Sequence, residues 1–163
     1  MRFCKTFNLK KQIIPFTLCL AIPLLTGFIA GSATANSAEL YQTLILPPLS
    51  PPSFVFPLVW TILYALMGVS SYIILKSNSW LKMRALSLYF LQLIFNFLWT
   101  FFFFTKQMYL FSFIWLMVLW IMVIVMIRFF WQIDKKAAIL QVPYFLWLTF
   151  AAYLNFSIFL LNK

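Results

Sequence analysis

Residues 51–75 read PPSFVFPLVWTILYALMGVSSYIIL. Behind the paired prolines, the run from Phe56 to Leu75 is apolar and uncharged. It has the roughly 20-residue length that crosses a hydrocarbon core as a helix. It lacks the polar alternation of an outer-membrane barrel strand. Its exceptions recur helically: Trp60, Tyr64, Gly68 and Ser71 share one face.

Working outward from this run, four more stretches meet the same test: residues 13–33, 85–104, 109–131 and 138–161. The chain therefore reads as one all-α membrane domain over residues 1–163, a five-transmembrane-helix bundle without internal repeats. The proline-rich stretch 36–53 is expected to be irregular. Composition agrees: 65% of the residues are hydrophobic and 9% charged, too little polar surface to cover a soluble domain.

The net charge of +10 would suggest nucleic acid in a polar protein. Here the cations sit between apolar runs, so the expected partner is the lipid bilayer and not nucleic acid. Arg2, Lys5, Lys10, Lys11, Lys76, Lys82, Arg84, Arg128, Lys135 and Lys136 fall on one side of a five-span topology. Lys106 and Lys163 fall on the other. Cations concentrate in cytoplasmic loops, so the N-terminus is expected in the cytoplasm and the C-terminus outside it. The bacterial inner membrane is the expected location, and loop 36–53 is then extracytoplasmic.

The first span has a rival reading. A basic start, an apolar run and Ala33-Thr34-Ala35 resemble a secretory signal with its cleavage site. The run exceeds the usual length of such a signal, and Gly27, Gly31 and Ala35 form a small-residue stripe suited to helix packing. A retained helix is the expectation. Cys4 and Cys19 have no histidine or second thiol at metal-ligand spacing and read as packing residues.

Polar side chains inside spans are costly in lipid and therefore informative. Tyr89, Gln92, Asn96 and Trp99 share a face of the third span. Tyr144, Trp147, Ala151 and Asn155 share one on the fifth. Facing each other and the stripe of the second span, they would line an aromatic pocket with a few hydrogen-bonding groups. The same groups could instead bond helix to helix as packing glue. Trp80, Trp115, Trp120 and Trp131 read as interfacial belt or lipid-facing residues. The fourth span, with little polar beyond Ser112, reads as scaffold.

No Asp, Glu, Lys or His falls within the spans, and the one arginine there, Arg128, sits at the end of the fourth, which argues against a proton relay or charge-coupled pump. There is no catalytic triad and no phosphate loop. Without histidine, strong haem ligation is not expected. No metal and no cofactor is expected, and a flat, apolar ligand suits the pocket best.

The run Pro51-Pro52-Ser53-Phe54-Val55-Phe56-Pro57 through Trp60, Tyr64 and Gly68 resembles the signature of the TspO/MBR family, the tryptophan-rich sensory proteins. Tyr41-Gln42-Thr43-Leu44 and Pro47 resemble its first loop. Ala85, Tyr89, Gln92, Asn96 and Trp99 resemble its third helix. Asp134, Pro143-Tyr144, Trp147, Ala151 and Leu154-Asn155 resemble its fifth. The resemblance implies a five-helix bundle, often a homodimer, whose first loop closes a pocket for porphyrins and other flat ligands. It implies ligand-binding roles for Tyr41, Trp60, Gln92, Asn96, Trp147 and Ala151; the helix faces add Tyr64, Tyr89, Tyr144 and Asn155, and Pro51 of the signature completes the expected set. The resemblance also implies that Trp60 and Trp147 flank the porphyrin.

The chain departs from the family pattern in that loop. Leu40 stands where a tryptophan is usual, Ile45-Leu46 precede Pro47, and residues 36–53 hold no cation. Carboxylated porphyrins would lack a charge partner in the lid. Phe156 replaces the tyrosine of the sterol motif of animal members, so specific sterol recognition is not expected. The expected function is a membrane binding protein for tetrapyrroles, acting as sensor or carrier. The alternatives are a light- and oxygen-dependent porphyrin-degrading enzyme using Trp60 and Trp147, and a structural subunit of a membrane complex.

Overall fold

A computed structural model describes residues 9–34 and 37–162. Those residues are mostly helical and contain no strand. The elements are α1 (Leu9–Ala33), α2 (Ser37–Thr43), α3 (Val55–Lys76), α4 (Lys82–Thr100) continued by a π-helical turn (Phe101–Thr105), α5 (Tyr109–Ile133), α6 (Lys135–Ile139) and α7 (Val142–Leu161). Five helical segments are long and apolar enough to cross a membrane. Their outward faces carry exposed Ile62, Ile94, Ile114, Ile121 and Leu146, because the solvent of those faces is acyl chain.

Three boundaries differ from the sequence reading. Residues 37–43 form helix α2 inside the stretch expected to be irregular; its prolines begin only at Pro47. The last span is broken into α6 and α7. Pro143 has no N–H to offer Ile139, so the helix must restart. Asp134 caps the start of α6, its Oδ1 accepting from Lys136 N at 2.7 Å and Ala137 N at 3.2 Å. The end of the third span loosens into the π turn.

Helix α1 lies along α3, and α5 packs between α4 and α7. Gly68 permits the α1–α3 crossing: a Cβ there would sit 2.8 Å from Leu20 Cα and 2.9 Å from the Cys19 carbonyl oxygen. Trp80 and Trp131 are exposed near span ends, with Arg84 and Lys135 each 5.5 Å over an indole. Trp115 and Trp120 depart from the lipid-facing expectation. Trp115 stacks on Phe95 at 4.4 Å and donates to the Phe95 carbonyl at 2.9 Å. Trp120 donates to Thr149 Oγ1 at 2.9 Å. An indole N–H at bilayer depth needs an acceptor, and each finds one on a neighbouring helix.

Candidate functional site

The polar stripes of α3, α4 and α7 all turn inward. Tyr64, Gly68 and Ser71 on α3 are buried, as are Tyr89, Gln92, Asn96 and Trp99 on α4 and Tyr144, Ala151 and Asn155 on α7. They do not form one surface. They divide between the wall of a cavity and a hydrogen-bonded layer behind it.

The cavity encloses about 650 Å³, within the roughly 300–1,000 Å³ of small-molecule sites. Gly27 and Gly31 of α1, Trp60 and Tyr64 of α3, Trp99 of α4, Phe103 and Phe104 of the π turn, and Ala151 and Asn155 of α7 wall it. Tyr41 of α2 and Ser53 close one side. The two glycines act differently. A Cβ on Gly27 would run into the Tyr64 ring, whereas one on Gly31 meets nothing within 4 Å and faces open space. The small-residue stripe of α1 is thus partly packing surface and partly cavity wall.

Trp60 is the aromatic hub of this wall. Its ring stacks on Tyr64 at 5.4 Å, tilts against Trp99 at 6.4 Å and meets Tyr144 edge-on at 6.1 Å. Behind it the buried polar groups form a chain. Tyr64 donates to Asn96 Oδ1 at 2.8 Å, Asn96 Nδ2 donates to Tyr144 Oη at 3.3 Å, and Tyr144 donates to Gln92 Oε1 at 2.7 Å. Asn155 is held likewise. Its Oδ1 accepts from Trp99 Nε1 and Ser112 Oγ, each at 3.1 Å, and its Nδ2 donates to the Tyr109 carbonyl at 2.8 Å. The scaffold helix α5 therefore fixes the amide of α7.

Of the residues expected at the site, Tyr41, Trp60, Tyr64, Ala151 and Asn155 line the cavity. Gln92, Asn96 and Tyr144 lie in the layer behind Tyr64. Pro51 contributes its carbonyl, which accepts from the Tyr41 hydroxyl at 3.2 Å. Tyr89 faces away from the cavity, stacked on Phe130 at 6.4 Å and beside Cys19 and Ser71 in a small separate notch. Trp147 stands behind Phe56, their centroids 6.0 Å apart, and does not reach the wall. Sequence reasoning missed the α1 wall and the paired phenylalanines of the π turn; the tetraphenylalanine run after Trp99 was the available signal for the latter.

The cavity's chemistry is mostly ring face and methyl. Thr61 Oγ1 donates to the Pro57 carbonyl at 2.8 Å, and Thr100 Oγ1 to that of Asn96 at 3.2 Å. Their oxygens can still accept. Burial pushes the Tyr41 phenol above its ordinary range, against a smaller opposite pull from Ser50, so it remains a neutral donor at physiological pH. None of the described lining residues carries a charge. The arrangement can hold a flat apolar molecule by stacking and shape.

Comparison with known proteins agrees with this architecture. Residues 19–161 match the sequence profile of the TspO/MBR family. The chain is 36% identical to "Tryptophan-rich protein TspO" of Chlorobaculum tepidum, over 94% of this chain and 99% of that one. It is 35% identical to "Tryptophan-rich protein TspO" of Archaeoglobus fulgidus, over 95% and 99%. It is 32% identical to "Translocator protein" of Bos taurus, over 92% and 89%.

Proposed function

Because this chain belongs to the TspO/MBR family of integral membrane proteins, we propose that its cavity binds a flat, apolar ligand of the porphyrin class and that the protein acts as its sensor or carrier. The carrying observation is a 650 Å³ chamber whose described walls are aromatic and uncharged. Trp60, Tyr64, Tyr41, Ala151 and Asn155 contact the ligand in this reading. Gln92, Asn96, Tyr144 and the Pro51 carbonyl hold those contacts in place, and Trp147 and Tyr89 support the bundle from outside the wall. The family resemblance extends the reading to a homodimer. The ten-to-two distribution of cations supports a bacterial inner-membrane protein with its N-terminus in the cytoplasm.

The test compares protoporphyrin with its dimethyl ester by quenching of tryptophan fluorescence in purified protein. Burying an unpaired carboxylate is strongly unfavourable. The uncharged ester should therefore saturate the protein at least as tightly as the diacid. Binding confined to the diacid would indicate a cationic site elsewhere and reject this assignment.

A further inference from the structure

The segment between α2 and α3 descends along the flank of a spanning helix. Asn162, at the C-terminal end of α7, clamps Ile45: Ile45 N donates to Asn162 Oδ1 at 2.9 Å, and Asn162 Nδ2 donates to the Ile45 carbonyl at 3.0 Å. Three residues later Tyr153 donates its hydroxyl to the Pro48 carbonyl at 2.9 Å. Tyr153 lies nine positions before Asn162, about 13 Å lower along the helix axis at 1.5 Å per residue. The segment ends at Phe56 in the first turn of α3, which meets Trp147, six positions before Tyr153 on α7, and Tyr41 of α2. Phe156, Leu160 and Leu161 of α7 are exposed above the level of Tyr153. Those side chains require lipid around them, and the Pro48 carbonyl is held at Tyr153, below their level.

The segment is built for such a place. Residues 40–75 contain no charge, and Ile45, Leu49 and Phe54 are 62%, 81% and 71% exposed. Irregular backbone near hydrocarbon is costly through its unpaired N–H and C=O groups. Pro47, Pro48, Pro51 and Pro52 have no N–H to leave unpaired. The carbonyls of Ile45, Pro47, Pro48 and Pro51 accept from Asn162, Ser50, Tyr153 and Tyr41. Leu49 has φ of 70°, at the turn position where glycine or asparagine is usual. The strained residue is thus an exposed leucine, aimed away from the protein. Phe54 continues along α3 into Leu58 and Ile62, both exposed on the face that meets lipid.

We propose that residues 45–54 form a strap inserted into the leaflet surrounding the C-terminal end of α7, with Ile45, Leu49 and Phe54 immersed among acyl chains. The partner is the lipid itself, and the strap is the partition between those chains and the cavity. The proposal rests on the membrane assignment and not on the identity of the ligand.

The test places a nitroxide at Leu49→Cys, and separately at Phe54→Cys, in a Cys4→Ser/Cys19→Ser chain reconstituted in phosphatidylcholine vesicles. Ile62→Cys serves as the lipid reference and Lys106→Cys as the aqueous one. Unchanged thermal denaturation qualifies each variant as folded. Collision with oxygen should exceed collision with a water-soluble nickel chelate at both strap positions, with a ratio near that of Ile62 and several-fold above that of Lys106. A ratio like that of Lys106 would put the strap in water and overturn the proposal. Protection from both reagents would overturn it as well, indicating that a second copy of the chain covers the strap.

Discussion

Tyr64, which lines the cavity, donates its hydroxyl to Asn96 Oδ1 at 2.8 Å, so its one donor is committed to the layer behind the wall. The pair joins α3 to α4 directly behind the wall. It also fixes the ring on which Trp60 stacks.

Replacing Asn96 by leucine should therefore act first on the fold. It leaves the buried Tyr64 hydroxyl without its acceptor and removes the amide donor to Tyr144, which keeps its bond to Gln92, at a cost of about 1–3 kcal/mol. The ligand-free protein should melt at a lower temperature, and ligand binding should weaken because Tyr64 is no longer held. Weakened binding with an unchanged melting temperature would mean that Asn96 faces the ligand itself.

Gly68 and Gly31 should respond differently to alanine. At Gly68 the new methyl meets the Leu20 Cα and the Cys19 carbonyl, which are backbone and cannot step aside. Overpacking of that kind costs about 1–3 kcal/mol. At Gly31 it enters open space. Thermal denaturation of Gly68→Ala and Gly31→Ala should show a loss only in the former.

The two family tryptophans are not equivalent in this structure. Trp60 is on the wall, while Trp147 sits behind Phe56. Trp60→Ala should weaken porphyrin binding more than Trp147→Ala, and Trp80→Ala, at a 78% exposed position, should leave it unchanged. An aromatic contact is worth about 0.5–1.5 kcal/mol beyond burial, so Trp60→Phe should retain much of the affinity. Equal losses at Trp60 and Trp147 would require Phe56 to move aside when ligand enters.

Affinity for an uncharged ligand should be flat from about pH 5 to 9, since the chain has no histidine and the described wall has no carboxylate. The raised Tyr41 phenol sets the upper limit. Its folded form favours the protonated state, so its contribution is intact below the ordinary tyrosine value of about 10 and is lost as pH rises beyond it. Ionisation would remove the donor that holds the Pro51 carbonyl. A titration across this range with wild type and Tyr41→Phe checks it: the alkaline loss should be smaller in the variant.

The spans and their inward faces were legible because twenty apolar residues and a 3.6-residue period are local properties of sequence. Which layer each inward residue joins was not legible. Tyr64 and Asn96 both sit on predicted stripes, yet one meets the cavity and the other lies behind it. The difference depends on how far α1 stands from α3, which Gly27 and Gly68 set through contacts across the sequence. No pattern in FFFFT announces the π turn at Phe101–Thr105. The break before α7 was missed although Pro143 signals it, and helix α2 was obscured by the prolines that follow it.

The central claim is that the chamber facing Gly31 is where ligand binds. Gly31→Phe enters that space from a cavity-lining position where a Cβ meets nothing within 4 Å. Titrated with protoporphyrin dimethyl ester, wild type should show saturable quenching. The variant should lose affinity by about tenfold or more, which is at least about 1.4 kcal/mol, at an unchanged melting temperature. Undiminished binding by a folded Gly31→Phe protein would contradict the account.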